Sequence, residues 1–193
     1  MKEAIAKMLK EGVELRLRMI ETMLGDILEA AKAIAEAFKA GNKVLLFGNG
    51  GSAADAQHIA AEFMNRFLIE RPSLPAIALT TDTSILTSIS NDYSFDDVFS
   101  KQIKALGKKG DIALGISTSG NSQNVLKAFR VAKKQGMVTI ALVGDGGKAA
   151  SLADIALCVP SKSTPRIQEA HVAVGHILCD LTDTLLFREV GKR

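Results

Sequence analysis

Five short apolar runs punctuate the chain, at 44–47, 76–79, 112–116, 138–142 and 155–159. Each reads as continuous rather than alternating, the pattern of a strand buried on both faces. Helical stretches are expected between them near 53–67, 95–106, 125–135 and 149–152, with a long amphipathic helix at 167–187. Strands alternating with helices predict an α/β protein with a five-stranded parallel sheet, doubly wound and covered by helices on both faces. Ahead of the sheet, Ile5, Leu9, Val13, Leu17, Ile20, Leu24, Ile27, Ala31, Ile34 and Phe38 recur at helical spacing. Gly12 and Gly25 are the points where so long a pattern can break, and Gly41-Asn42 stops it. This N-terminal helical segment, 1–40, has an apolar stripe to set against the core or against another subunit. No repeat, linker or low-complexity stretch divides the chain, so 1–193 reads as a single domain.

In doubly wound sheets ligands bind at the carboxyl ends of the strands. Three loops leave those ends with suitable chemistry. The first, Gly48-Asn49-Gly50-Gly51-Ser52, passes from a strand into a helix, where backbone N–H groups and the helix dipole favour an anion. The second is Thr80-Thr81-Asp82-Thr83-Ser84, read as a loop, with Asn91-Asp92 a little further on. The third, Ser117-Thr118-Ser119-Gly120-Asn121-Ser122, sets four hydroxyls before a helix, which suits a phosphate. Ser, Thr and Asn also cap helices and form turns without any ligand. Four hydroxyls in six positions after a buried strand favour the ligand reading. Neither glycine-bearing loop is a Walker A or dinucleotide fingerprint.

The helix leaving the first loop carries His58 and Glu62 at i,i+4, hence on one face. They read either as a surface pair or as acid/base or metal-binding groups. The last helix holds His171 and His176. His58, Glu62, Gln168 and His176 form a donor set for a divalent ion, Zn²⁺ being the best match. Gln168 and His176 lie about 12 Å apart along an ideal helix, so both reach one ion only if their side chains converge or the helix starts after Gln168.

Charge changes the picture little. Twenty-four Lys and Arg face 21 Asp and Glu, a net charge of +3, and they are dispersed, which argues against direct nucleic-acid binding. Cys158 and Cys179 lie in apolar stretches and read as buried, reduced thiols. No signal segment and no membrane-spanning run is expected, so the reading is a soluble cytoplasmic protein.

The blocks Gly48–Ala53, Asp55-Ala56-Gln57-His58, Asn65-Arg66-Phe67, Arg71–Leu79, Asn91-Asp92-Tyr93, Ile116–Ser122 and Arg166-Ile167-Gln168-Glu169 together resemble the sugar isomerase (SIS) domain family and, within it, the phosphoheptose isomerases. The likeness covers nearly the whole chain. It implies a three-layer αβα fold and a homotetramer with sites between subunits. It also implies conversion of D-sedoheptulose 7-phosphate to D-glycero-D-manno-heptose 7-phosphate, the first step of ADP-heptose synthesis for lipopolysaccharide core. Carried over by position, Asn49, Gly50, Gly51, Asn91 and Asp92 contact the phosphorylated seven-carbon sugar. Ser117, Thr118, Ser119 and Ser122 hold its phosphate, with Ser52 nearby. Glu62 and His176 are the acid/base pair, and His58, Glu62, Gln168 and His176 bind one zinc per site. Ser163-Thr164-Pro165 departs from the family pattern and receives no role. A non-catalytic relative that binds the bacterial replication initiator shares the fold, but it lacks the histidine matching His176 and has a degraded first glycine loop. A phosphosugar-sensing regulatory domain would not need Glu62 and His176 together.

Overall fold

The structure, a computed structural model, describes residues 1–187, so the last six residues of the expected domain lie outside it. Helices α1 (Lys2–Thr22) and α2 (Leu24–Lys39) come first. They are followed by β1 (Val44–Gly48), α3 (Gly51–Met64), β2 (Ala76–Ala78), α4 (Thr83–Asp92), α5 (Val98–Leu106), β3 (Ile112–Ser117) and α6 (Gln123–Lys134). Then come β4 (Val138–Val143), α7 (Lys148–Leu152), β5 (Ile155–Cys158) and α8 (Thr164–Phe187). The strands are all parallel, in the order β2-β1-β3-β4-β5.

Every residue of β1 and β3 is buried, as continuous apolar runs require. Alternate residues point to opposite faces and divide the core in two. Val44, Leu46, Leu114 and Leu142 join α2, α3 and α8, while Leu45, Phe47, Ala113 and Ala141 join α5, α6 and α7. On the second face Phe47 packs edge-on against Phe129, with centroids 5.5 Å apart. Gly115 makes room for them: a Cβ there would sit 2.6 Å from the Phe129 ring and 2.8 Å from Phe47. The chain leaves β1 first toward β2 and then toward β3, so the loops after β1 and β3 part at the topological switch point. That is where an open parallel sheet makes its crevice.

Three expectations change. The N-terminal helix breaks at Met23, not at Gly12 or Gly25. In α1 and at the break the buried residues are Leu15, Met19 and Met23, while Ile5, Leu9, Val13, Leu17, Ile20 and, at the start of α2, Leu24 stay exposed. Helix α1 is apolar on two faces, and the chain itself covers one. Second, the segment read as a loop from Thr80 turns helical at Thr83. Asp82 caps α4 by accepting from the Ile85 N–H at 2.9 Å. Third, α8 is long and apolar enough to cross a membrane by length and composition, where no such segment was expected. Its His171, Thr182 and Asp183 are buried against the rest of the fold, as in the core helix of a globular domain. Cys179 is buried as expected, whereas Cys158 is only half-buried, and both are free thiols.

Candidate functional site

The loop after β1 closes tightly. A Cβ on Gly48 would lie 2.8 Å from the carbonyls of Ile116 and Ser52, and Gly50, which starts α3, has a φ of +56°. Only glycine fits the first without displacing backbone, and Gly50 occupies a region unfavourable to other residues. Ser52 is buried in the first turn of α3, beneath the loop. Asn49 does not stand free. It exchanges two 2.9 Å amide hydrogen bonds with Asn124, which also accepts from the Val125 N–H at 2.9 Å. This closed amide pair ties the first loop to the start of α6. Asn124 had escaped the sequence reading, although an Asn in the first turn after a serine-rich loop is a signal for such a tie.

The loop after β3 delivers its hydroxyls to the N-terminus of the twelve-residue α6. Ser117 Oγ lies 3.2 Å from Ser122 Oγ, and Ser119 Oγ accepts from the Asn121 N–H at 3.2 Å. Gly120 (φ +63°) lets the turn press on 146–147: a Cβ there would meet the Gly146 carbonyl at 2.4 Å. Thr118 and Ser119 line a cavity of about 250 Å³ with Asp145, Ser161, Lys162 and Thr164. A second, of about 120 Å³, lies between Asn49, Gly50 and Thr80 on one side and Leu86, Phe95 and Phe99 on the other. Asn91 and Asp92 close the last turn of α4 and bond to each other at 2.9 Å. No residue of α4 is buried.

Two turns along α3, the chemistry changes. His58 Nε2 lies 2.8 Å from His176 Nε2 of α8, across 118 residues of sequence, and 3.7 Å from Glu62 Oε1. One donor atom from each of His58, Glu62 and His176 falls within 4.8 Å of the others. The side chains of His58 and Glu62 are 46% and 24% exposed, so the cluster opens outward. Phe67 packs on the His176 ring at a centroid distance of 5.3 Å. Asp55, one turn before His58, has its carboxyl raised above the ordinary range by burial, against the opposing pull of His58. The helices meet closely here because α8 has Gly175, where a Cβ would lie 2.6 Å from Ile59 Cδ1. Gln168 is elsewhere: its amide rests over Gly51, where a Cβ would lie 2.5 Å from Nε2. The chain therefore gathers three of the four expected metal donors, while Gln168 covers the first loop.

Two imidazoles and a carboxylate converging within 4.8 Å fit a divalent transition ion with an open fourth position, the arrangement of catalytic rather than structural zinc. The same three groups also serve as proton donors and acceptors.

Residues 8–144 match the SIS domain family model. Over 190 residues the chain is 52% identical to a phosphoheptose isomerase of Sulfurimonas denitrificans, covering 97% of each. Over 188 residues it is 54% identical to that of Trichlorobacter lovleyi, covering 97% of this chain and 96% of the relative. Among solved structures, the phosphoheptose isomerase of Neisseria gonorrhoeae superposes with a TM-score of 0.90 at 45% identity, covering 95% of this chain and 98% of that one.

Proposed function

Because the chain belongs to the phosphoheptose isomerase family of SIS-domain proteins and is a phosphosugar isomerase, we propose that it converts D-sedoheptulose 7-phosphate to D-glycero-D-manno-heptose 7-phosphate through an enediol. The observation that carries this reading is the convergence of His58, Glu62 and His176, the first two on the helix that leaves the glycine loop after β1. Moving the carbonyl from C2 to C1 removes a proton from C1 and protonates the C2 oxygen, giving the enediol. A proton then enters at C2 and the O1 proton leaves. Glu62 and His176 share these acid and base tasks. Ser117, Thr118, Ser119 and Ser122 hold the phosphate, with Ser52 nearby. Asn49, Gly50, Gly51, Asn91, Asp92 and Gln168 line the sugar. Binding energy from the non-reacting phosphate places C1 and C2 at the acid/base pair.

His58, Glu62 and His176 would hold one Zn²⁺, with Gln168 as a fourth ligand once its amide leaves Gly51. Such an ion supplies Lewis-acid polarisation of the carbonyl and hydroxyl oxygens. The exposed face of α1, with Leu9 67% and Leu17 57% exposed, supports a homotetramer in which copies cover one another and the sites lie between subunits. The reaction belongs in the cytoplasm, as the first step of ADP-heptose synthesis for lipopolysaccharide core.

The test is turnover of sedoheptulose 7-phosphate by purified protein, before and after chelation and again with Zn²⁺. Turnover that falls with chelator and returns with Zn²⁺ is the expected result. Its absence under every metal condition overturns the assignment.

A further inference from the structure

We infer that Arg71, held by Asp183, is a positioning residue that sets the distance between Glu62 and His176. The inference rests on reading those two as the acid/base pair. Arg71 lies in the segment between α3 and β2, and its side chain and that of Asp183 are each 1% exposed. Arg71 Nε donates to Asp183 Oδ1 at 2.9 Å. Its other nitrogens turn to the C-terminal end of α3. Nη2 donates to the Glu62 carbonyl at 2.8 Å, and Nη1 to the carbonyls of Phe63 at 2.7 Å and Asn65 at 3.2 Å.

The last carbonyls of a helix have no partner within it, and a cation there also meets the negative end of the dipole. One guanidinium thus caps α3 at Glu62 itself. Asp183 is the other half of the tie. It stands on α8 seven residues after His176, two turns along the same helix. The chain therefore runs Glu62–Arg71–Asp183–His176, with each end of the ion pair built into the backbone that carries one reacting group. Close packing of Gly175 on Ile59 leaves the two helices little freedom to slide beside it. A planar fork of five donors can satisfy several carbonyls and a carboxylate at once, which an ammonium cannot do in the same geometry.

Arg71→Ala takes the cation from a buried carboxylate and can unfold the protein for that reason alone. The informative variants are Arg71→Lys and the pair Arg71→Met with Asp183→Leu. The pair removes both charges at similar volume, a change that buried ion pairs often tolerate. Folding is checked by circular dichroism and thermal melting, and kcat and KM are measured with sedoheptulose 7-phosphate. The expected result is a folded double variant with kcat reduced at least about tenfold and KM changed less than about threefold, since the phosphate loops are untouched. Arg71→Lys falls between it and the parent. In metal-stripped protein the ring NMR signals of His58 and His176 should also move from their parental positions.

A folded double variant with parental kcat and unmoved histidine signals overturns the inference and leaves Arg71 a purely structural tie. If the double variant fails to fold, Arg71→Lys and Asp183→Asn decide by the same two readouts. Should Glu62→Gln remain active, the acid/base reading fails instead, and the histidine signals still report whether Arg71 sets the geometry.

Discussion

The two ends of the site are built on different principles. The phosphate end is made from short stretches of chain: Ser117 to Ser122, and Asn49 to Ser52, tied together by the Asn49–Asn124 amide pair. Backbone N–H groups and hydroxyls are what those stretches offer a phosphate, and their geometry comes with the turn. The acid/base end joins α3 to α8 across 118 residues of sequence and depends on how two helices pack. Its side chains are part-exposed, and its spacing is controlled from behind by the buried Arg71–Asp183 pair. A site so divided should fail in two separable ways: loss of chemistry at one end and loss of affinity at the other.

The largest effect is expected at the acid/base end. Glu62→Gln and His176→Ala should each lower kcat by about a thousandfold, the scale of a general acid or base. Both residues are part-exposed, so the melting temperature should stay close to the parental value. Steady-state kinetics beside a thermal melt checks both statements. Substantial turnover in both variants would remove them from the mechanism and erase the contrast between the ends.

A smaller and opposite signature is expected at the phosphate end. Ser119→Ala and Ser122→Ala should raise KM by roughly tenfold each, the worth of one hydrogen bond to a charged group. Phosphate contacts that are equal in ground and transition states leave kcat nearly unchanged. A fall in kcat with unchanged KM would mean that the anchor strengthens as the reaction proceeds, and the two ends would no longer be separable.

The same division explains what could be read from the sequence. The sheet was legible because its central strands are buried on both faces and every strand, the half-exposed edges β2 and β5 included, prints a short apolar run. The placing of the two glycine- and hydroxyl-bearing loops was legible because their pattern is local: glycines and hydroxyls after a strand. The pairing of His58 with Glu62 followed from helical spacing, but that of either with His176 needed the family likeness, because no local pattern encodes which helices meet. Arg71 and Asp183 were missed for that reason. An Arg before a proline and an Asp in an apolar helix that also carries Asp180 each signal a buried partner without saying which one. Helix α1 is apolar on two faces, so spacing alone left open whether its stripe meets the core or another subunit. The stripe chosen from the spacing is the one the single chain leaves exposed, and Leu15, Met19 and Met23 took the interior instead. The first turn of α4 fell within the loop read at Thr80–Ser84 because that stretch is rich in hydroxyls, and further along the helix only Leu86 and Ile89 pack on the core.

The last effect is on stability rather than on turnover, and it concerns the helix that serves both ends. His171 lies on α8 between Gln168, which covers the first loop, and His176. It is fully buried. Neither ring nitrogen has a hydrogen bond of good geometry, and burial lowers its pKa to about 4, with the Val143 carbonyl acting weakly the other way. The unfolded chain, with an ordinary histidine pKa of about 6.5, binds this proton more readily than the folded one. Stability from this group is therefore full above about pH 6.5, falls as pH drops through the window to about 4, and is lost below it. The shift corresponds to roughly 3 kcal/mol, or about 6–12 °C in melting temperature for a chain of this size. His171→Leu removes the proton site from an apolar setting, so the difference in melting temperature between parent and variant should change across that window and be constant above it. Activity per folded molecule should be equal in the two at pH 7, because His171 touches neither the phosphate loops nor the cluster of His58, Glu62 and His176. A difference in melting temperature that does not vary between pH 7 and pH 4 would mean that the buried imidazole takes up its proton inside the fold. Helix α8 would then carry both ends of the site through acidification unchanged.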